Sequence, residues 1–284
     1  MLERRRLDSE VAMMEVINDS DTRKPVSEQD TMAVPYRWIC LVRGREKGPN
    51  SSTYSMGTGV LIGPRHVLTA AHVLVSENDP AITVGDRLTV QPARNAGYEP
   101  FQPVGVLGWQ VHPLWIIKHG KKWIPQTRYD YGLITLRKAV SGWKHRLFGG
   151  CELAYWGARG SICGARSEIG VTTAQIIGQE ARAAGYPADR LDRPTGTLWT
   201  GLGRITFDSV GSVMLHTIDT YGGQSGAPIW YVRDGVHCLA GIHSRPGNVR
   251  MDSRGLTRRV NNWAVLITPD IARQLEAWKN TFAG

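Results

Sequence analysis

Short apolar stretches separated by turn residues run along most of the chain. They cover residues 38–42, 59–62, 66–69, 87–90, 104–111, 131–136, 152–155, 180–185, 198–207, 213–217, 227–232, 236–242 and 264–267. An amphipathic helix needs a longer stretch with a 3.6-residue period, whereas short runs bounded by turns are typical of strands in barrels and sandwiches. The pattern therefore predicts an all-β protein.

The two ends of the chain depart from this pattern. Residues 1–34 are polar and poorly periodic, which indicates an N-terminal arm or pro-segment. Near the other end, Thr268 can cap a helix whose first turn contains Pro269. The apolar face of this helix would contain Ile271, Leu275 and Trp278. We therefore predict one C-terminal α-helix over residues 269–280, packed against the second half of the molecule.

Composition and charge limit the classes of function. With 284 residues, 42% of them hydrophobic, the chain is long enough for two compact units with their own cores. Its net charge of +9 is compatible with nucleic-acid binding, but neither a zinc-ligand spacing nor an aromatic RNA-binding signature accompanies that charge. No apolar run approaches the roughly 20 residues that span a bilayer. We expect a monomer with a cationic surface, no nucleic-acid partner and no membrane attachment.

The four cysteines suggest a disulfide rather than a metal site. Cys40, Cys151, Cys163 and Cys238 form no metal-ligand pattern with nearby histidines. Only a short loop separates Cys151 from Cys163, and closing it would contribute about 3 kcal/mol to stability. Four reduced, buried thiols are the alternative. We predict no metal and no organic cofactor.

Three segments carry groups that can cooperate in nucleophilic catalysis. Residues 68–72 read Leu-Thr-Ala-Ala-His, residues 130–136 read Asp-Tyr-Gly-Leu-Ile-Thr-Leu, and residues 222–228 read Gly-Gly-Gln-Ser-Gly-Ala-Pro. A serine hydroxyl needs an imidazole to accept its proton and a carboxylate to fix the tautomer of that imidazole. We therefore assign Ser225 as nucleophile, His72 as base and Asp130 as the acid.

Two further observations concern this assignment. Asp79 and Asp86 compete with Asp130 by position, but neither precedes so clear an apolar strand. Glycines at 222 and 223 have no Cβ, so the backbone there can turn its N–H groups toward a developing negative charge. We predict that the amides of Gly223 and Ser225 form the oxyanion hole.

The chain resembles the chymotrypsin-like (trypsin-like) serine proteases from about residue 35 to the C-terminus. The resemblance rests on three motifs in the same order: Thr-Ala-Ala-His, the strand that begins with Asp, and Gly-x-Ser-Gly-x-Pro. The resemblance implies two antiparallel six-stranded β-barrels packed face to face. The first barrel would span residues 35–147 and carry His72 and Asp130, and the second would span residues 148–284 and carry Ser225. It also implies hydrolysis of peptide bonds in polypeptides through an acyl-enzyme intermediate.

Other motifs resemble the glutamyl-endopeptidase branch of that family. They are Ala-Gly-Tyr-Pro at 184–187, Asp-Thr-Tyr-Gly-Gly-Gln-Ser-Gly at 219–226, Gly-Ile-His at 241–243 and Asn-Trp-Ala-Val at 262–265. In that branch a hydroxyl and an imidazole receive the substrate carboxylate, and Thr220 and His243 match them. An arginine-rich segment at 244–260 either favours acidic substrates or is a solvated loop. The resemblance therefore implies cleavage after Glu.

Two alternatives to this specificity and activity stay open. Asp219 lies six residues before Ser225, where trypsin-type enzymes carry the acid that pairs with Lys or Arg. A catalytically silent family member that binds partners through its groove is the other alternative, although the presence of all three chemical groups argues against it.

The N-terminal region also resembles that branch. Residues 16–23 are similar to the start of some mature chains, in which the α-amino group assists carboxylate recognition, and this would require cleavage between Glu15 and Val16. The resemblance implies an extracellular enzyme. However, acidic residues at positions 8, 10, 15 and 19 interrupt the region where a signal peptide needs an apolar core, so an intracellular location is the alternative.

Overall fold

The chain consists mainly of β-strands. A computed structural model describes residues 14–15, 21–47, 54–84, 88–144, 151–160, 165–189, 195–208, 213–251 and 257–282. The strands in the first half are β1 (Met14–Glu15), β2 (Lys24–Pro25), β3 (Ile39–Lys47), β4 (Tyr54–Gly63), β5 (His66–Thr69), β6 (Thr83–Val84), β7 (Thr89–Pro92), β8 (Val104–Val111), β9 (Ile116–His119), β10 (Lys122–Pro125) and β11 (Gly132–Leu136). Those in the second half are β12 (Arg166–Ile169), β13 (Glu180–Gly185), β14 (Trp199–Phe207), β15 (Met214–His216), β16 (Thr220–Tyr221), β17 (Pro228–Arg233), β18 (Val236–Pro246), β19 (Val249–Met251), β20 (Thr257–Arg259) and β21 (Asn262–Leu266). The α-helices are α1 (Glu28–Thr31), α2 (Thr173–Ile176) and α3 (Pro269–Trp278).

Six strands of the first half form a closed antiparallel barrel. Their order is β4, β5, β11, β8, β7 and β3, and pairing between β3 and β4 closes the sheet. Apolar side chains of these strands are buried in one cluster that includes Leu41, Val60, Leu68, Val90 and Leu133. Full burial of such a side chain contributes about 1.5–3 kcal/mol, and closure leaves no strand edge unpaired.

The second half forms another closed barrel. Its strand order is β18, β17, β13, β14, β15 and β21, with β18 and β21 paired, and β12 adds to β18 in parallel. A second buried cluster includes Ile205, Met214, Ile229, Ala240 and Ala264. The two six-stranded barrels with a C-terminal helix confirm the fold class that the sequence predicts.

Tyr186 is one of the side chains that join the two barrels. It follows β13, and its hydroxyl lies 3.3 Å from the carbonyl oxygen of Ile39 and 3.0 Å from that of Arg94. Its backbone N–H donates to Oγ1 of Thr58 in β4 at 3.1 Å. The barrels therefore pack face to face at the level of β3 and β4. The predicted boundaries at residues 34 and 147 stay predictions.

The strand predicted over residues 152–155 is wrong. Glu152 forms a single bridge with Lys144, and Ala154 has a φ angle of 51°, in the left-handed region that interrupts extended backbone. The predictions also miss the hairpin formed by β9 and β10. Most residues of both strands are exposed, so the hairpin has no buried face to give an alternating apolar pattern.

The C-terminal helix begins at the predicted cap. Oγ1 of Thr268 accepts a hydrogen bond from an N–H in the first turn, and α3 ends at Trp278, two residues before the predicted end. Trp278 stacks on Tyr131 with ring centroids 5.7 Å apart, and Lys279 Nζ donates to a carbonyl of β4 at 2.6 Å. The helix therefore packs against the first barrel as well, not only against the second as expected.

The cysteines divide into two kinds. Cys151 is disulfide-bonded, whereas Cys40 and Cys238 are free and buried, so the alternative with four reduced thiols is wrong. Cys163 lies outside the described residues, and its pairing with Cys151 stays a prediction. Among the helices in the described ranges, none has the length and apolar character needed to cross a bilayer.

Candidate active site

His72 and Asp130 are in direct contact. A 3₁₀ turn after β5 carries His72, and Asp130 lies just before β11, the strand that pairs with β5. Nδ1 of His72 lies 2.7 Å from Oδ2 of Asp130, and the His72 amide donates to Oδ1 at 3.0 Å. The carboxylate is fully buried, while the imidazole is 21% exposed. An ionised carboxylate only accepts hydrogen bonds, so Nδ1 carries the proton and Nε2 can accept one.

The pKa values of the two groups shift in opposite directions. Burial disfavours protonated His72, but the charge and hydrogen bond of Asp130 outweigh burial and raise the pKa of His72 above its ordinary value. Burial likewise disfavours ionised Asp130, but the charge of His72 and hydrogen bonds from His72 and Ser244 lower the pKa of Asp130. The pair therefore keeps a charged acid beside an imidazole that can gain a proton.

Ser244 is a contact that the sequence analysis misses. Its hydroxyl donates to Oδ2 of Asp130, and the residue is buried in β18. It directly follows His243, so the signal available in the sequence is its place beside a residue already assigned to the pocket. Buried carboxylates need such donors, because an unpaired buried charge is costly.

The loop with Ser225 lies between strands of the two barrels. The Ser225 carbonyl accepts a hydrogen bond from the Thr58 amide in β4 at 2.8 Å. The next residue, Gly226, donates its N–H to the carbonyl of His243 in β18, also at 2.8 Å. These bonds fix the loop from both sides.

The same loop meets the segment that carries His72. Gly226 has a φ angle of 83°, and a Cβ there would lie 2.2 Å from the carbonyl oxygen of Thr58 and 2.8 Å from the amide of Ala70, two residues before His72. Only a residue without a side chain fits this conformation and this close approach. The structure thus brings the loop of Ser225 to the segment with His72.

Gly223 gives the loop its second left-handed position. Its φ angle is 98°, and a Cβ there would lie 2.5 Å from the carbonyl oxygen of Tyr186. Its own carbonyl accepts a hydrogen bond from Oγ1 of Thr58 at 2.9 Å. Among the described residues, neither the Gly223 nor the Ser225 amide donates to another group. Both amides are therefore available to a ligand.

Two buried histidines contact each other, and one of them, His216, lies opposite Asn262 in the sheet. The pKa of His216 is well below its ordinary value, because burial disfavours the charged ring and His243 adds to the effect. Nδ1 of neutral His216 accepts a hydrogen bond from the Ile218 amide at 3.3 Å, so its proton is on Nε2, 3.1 Å from Nδ1 of His243. His243 then carries its own proton on Nε2. Asn262 donates to Oγ1 of Thr220 at 3.2 Å.

His216 is the second residue of the candidate site that the sequence does not predict. No motif surrounds it in the sequence. Its position is set by pairing of β15 with β21, where it lies opposite Asn262, and this register is not visible from the chain alone.

Asp219 contacts the N-terminal arm. Its Oδ2 accepts hydrogen bonds from the amide and the hydroxyl of Thr22, at 2.8 and 2.6 Å. Earlier in the arm, β1 pairs with β16 so that Glu15 lies opposite Thr220. Val16, which follows in the sequence, lies outside the described residues.

Trp115 and Arg245 flank His72. The Trp115 ring centroid lies 6.3 Å from that of His72. The Arg245 guanidinium lies over the Trp115 ring, 5.5 Å from its centroid. Arg245 also forms an ion pair with Glu77 at 3.0 Å. Arg245, the first arginine of the arginine-rich segment at 244–260, therefore has its charge partly balanced by a carboxylate of the first barrel.

Comparison with known proteins gives two relatives that match 92% of this chain and 68% and 69% of their own length. The chain is 27% identical over 264 residues to a glutamyl endopeptidase of Bacillus licheniformis, and the alignment covers 92% of this chain and 68% of the relative. It is 27% identical over 266 residues to a protein of Bacillus subtilis named extracellular metalloprotease, with 92% and 69% covered. In the ranges that the structure describes here, no three His, Cys, Asp or Glu side chains are grouped as metal ligands.

Comparisons of structure and family agree on the fold. A solved structure of a Glu endopeptidase in complex with MPD matches with a TM-score of 0.64 and 19% identity, covering 94% of this chain and all of that one. A family model described as a trypsin-like peptidase domain matches residues 57–238, which is more than half of the chain. The chain therefore belongs to the trypsin-like peptidase family, and it is a trypsin-like serine peptidase that acts on polypeptides.

Proposed function

We propose that this peptidase cleaves polypeptides after glutamate, with Ser225, His72 and Asp130 as its catalytic triad. The observation that carries the specificity is the hydrogen bond between His216 Nε2 and His243 Nδ1, in which Nδ1 of His243 accepts and its Nε2 is left as the donor. The glutamyl endopeptidase among the relatives supports the same specificity.

A substrate carboxylate would receive two hydrogen bonds in this pocket. His243 would donate one hydrogen bond from Nε2. The Thr220 hydroxyl, which already accepts a hydrogen bond from Asn262, would donate the other. Hydrogen bonds to a charged group contribute about 1.5–3 kcal/mol each. A glutamine at the same place would weaken both bonds, so the proposed pocket would favour the charged side chain.

The proposed reaction begins when Ser225 Oγ attacks the carbonyl carbon of the scissile bond. Nε2 of His72 accepts the hydroxyl proton, and Asp130 stabilises the imidazolium that forms. His72 then gives this proton to the leaving amine. In the second half, a water molecule attacks the acyl-enzyme while His72 again accepts and returns a proton.

The negative charge of the tetrahedral intermediate falls on the former carbonyl oxygen. The amides of Gly223 and Ser225 would donate to it. Each such donor typically contributes about 3 kcal/mol to transition-state stabilisation. The left-handed φ of Gly223 supports this role, because it turns the local backbone away from the ordinary strand geometry.

Cleavage after Lys or Arg through Asp219 is the second candidate. The contacts of the arm argue against it, since both donors of Thr22 already occupy Oδ2 of Asp219. A substrate cation would have to displace these bonds or share the oxygen with them. The acid therefore has a local structural role in this protein.

A panel of peptides that differ only in the residue before the cleaved bond tests the specificity. We expect kcat/KM to be highest for Glu, lower for Gln and lowest for Arg. Faster turnover after Arg than after Glu would overturn the proposal. A serine-reactive organophosphonate should label the wild-type protein but not Ser225→Ala, and labelling that persists in this variant would contradict the assignment of Ser225.

We also propose an extracellular setting. It is supported by the name of the Bacillus subtilis relative, an extracellular protease. Detection of the peptidase in culture medium rather than in the cell lysate would support this location, and exclusive recovery from the lysate would contradict it.

A further inference from the structure

A buried arginine of the N-terminal arm contacts the loop that carries Ser225. The Arg23 side chain is 1% exposed and forms ion pairs with Asp21 at 2.8 Å and with Asp189 at 2.6 Å. Its Nη1 donates to Oε1 of Gln224 at 3.3 Å. A buried guanidinium needs this many partners, because an unpaired buried charge costs several kcal/mol. The two carboxylates therefore hold the guanidinium in one place.

Gln224 passes this contact on to the loop. Its Oε1 also accepts a hydrogen bond from the Tyr221 backbone N–H at 3.1 Å, and the Gln224 backbone N–H donates to the Tyr221 carbonyl at 2.9 Å. The Arg23 guanidinium lies 5.7 Å from the centroid of the Tyr221 ring. One carboxamide thus closes the turn between residues 221 and 224 while it contacts Arg23. Gly223 and Ser225, whose amides are the proposed oxyanion donors, are the two neighbours of Gln224 in the chain.

The backbone of the arm is held on both sides of Arg23. Before it, Thr22 donates twice to Asp219. After it, β2 pairs with β14, and the Val26 amide donates to the Leu198 carbonyl at 2.8 Å. The position of Arg23 is therefore set by the second barrel, and its guanidinium cannot leave Gln224 without breaking several bonds.

We propose that Arg23 is a positioning residue that acts through Gln224 to hold the Gly223 and Ser225 amides in the orientation needed to bind the oxyanion. This inference rests on the proposed triad and oxyanion hole. Hydrogen-bond donors stabilise a transition state when they are oriented before the reaction begins. Without Arg23, the pair of His72 and Asp130 stays intact but the loop can adopt other conformations.

This role predicts a separation of kinetic effects. In Arg23→Gln, kcat should fall on the order of 10²-fold, the cost typical of a displacement of about 1 Å near the reacting atoms. KM and the pH of half-maximal activity should stay the same, since the pocket and His72 are unchanged. Affinity for a peptide aldehyde, which forms a hemiacetal oxyanion on Ser225, should fall in parallel with kcat. Arg23→Lys should recover part of the loss.

Two further variants keep the test interpretable. Gln224→Met removes the acceptor but leaves Arg23 paired with both carboxylates, so it should fold and still lose kcat and aldehyde affinity. Arg37→Gln is the matched control, since Arg37 is also buried and donates to a backbone carbonyl in another part of the protein. We expect it to lower thermal stability without changing kcat or aldehyde affinity.

The outcomes separate the two proposals. If Gln224→Met and Arg23→Gln keep wild-type kcat while Ser225→Ala is inactive, the positioning role is wrong and the triad stands. If Ser225→Ala retains full activity, the triad and the oxyanion hole are wrong together. Loss of kcat with unchanged aldehyde affinity would also overturn the positioning role.

Discussion

The Ser244 hydroxyl donates a hydrogen bond to Oδ2 of Asp130, the same oxygen that accepts a hydrogen bond from Nδ1 of His72. Asp130 belongs to the first barrel and Ser244 to β18 of the second. The orientation of the imidazole therefore depends on a contact between the barrels. Any change that separates them would disturb His72 without touching it.

Substitution Ser244→Ala should slow the enzyme without abolishing its activity. The change removes a hydrogen bond to a buried charge, which contributes about 1.5–3 kcal/mol, so we expect kcat/KM to fall on the order of tenfold or more. Thr135→Val is the control, because it removes a buried hydroxyl in β11 that makes no contact with Asp130, and it should keep wild-type kinetics. Equal kinetics for the two variants would contradict this role of Ser244.

Activity should decline on the acid side at a pH above the ordinary pKa of imidazole, about 6.5. His72 must be neutral to accept a proton, and Asp130 raises its pKa, so the fraction of neutral base grows as the pH rises through that value. Asp130→Asn removes the charge and should move this transition to lower pH while kcat falls about 10⁴-fold. The measurement is kcat/KM against pH, and a transition that moves upward in the variant would contradict the assignment.

The sequence predicts the fold because its main signal is local. Turn-bounded apolar runs mark most strands of both barrels, and Thr268 marks the start of α3. Ala154 shows the limit, since a left-handed φ in a non-glycine residue depends on its surroundings. The hairpin of β9 and β10 was missed because it has no buried face.

The residues of the candidate site also fall into those that local motifs indicate and those that only the folded structure brings together. Motifs identify His72 and Asp130, which the structure brings into contact, and their catalytic role with Ser225 stays a prediction. Ser244 meets Asp130 across 114 positions, and Arg23 meets Gln224 across 201. Such contacts depend on strand register and barrel packing, which no short motif encodes.

The pair of histidines in the pocket should control preference for Glu. His216→Leu removes the donor that fixes the tautomer of His243, so we expect kcat/KM for a Glu peptide to fall roughly tenfold to a hundredfold, the equivalent of one hydrogen bond to a charge. The Gln peptide should lose less. His237→Gln, on the same strand as His243, is the control and should keep the wild-type ratio of Glu to Gln cleavage. A uniform loss for both peptides in His216→Leu would contradict the proposed specificity.

A matched pair of glycines tests how tightly the Ser225 loop is packed. Gly226 and Gly160 both have a φ angle of 83°, but a Cβ at Gly226 would meet the Thr58 carbonyl at 2.2 Å, whereas a Cβ at Gly160 has nothing within 4 Å. Gly160→Ala should therefore cost only the backbone strain, about 1 kcal/mol of unfolding free energy. Gly226→Ala adds a clash with backbone and should cost more, and it should also lower kcat because the loop must move away from β4. Denaturant unfolding and kinetics of the two variants measure both effects, and equal losses of stability would show that the loop yields to the added methyl group.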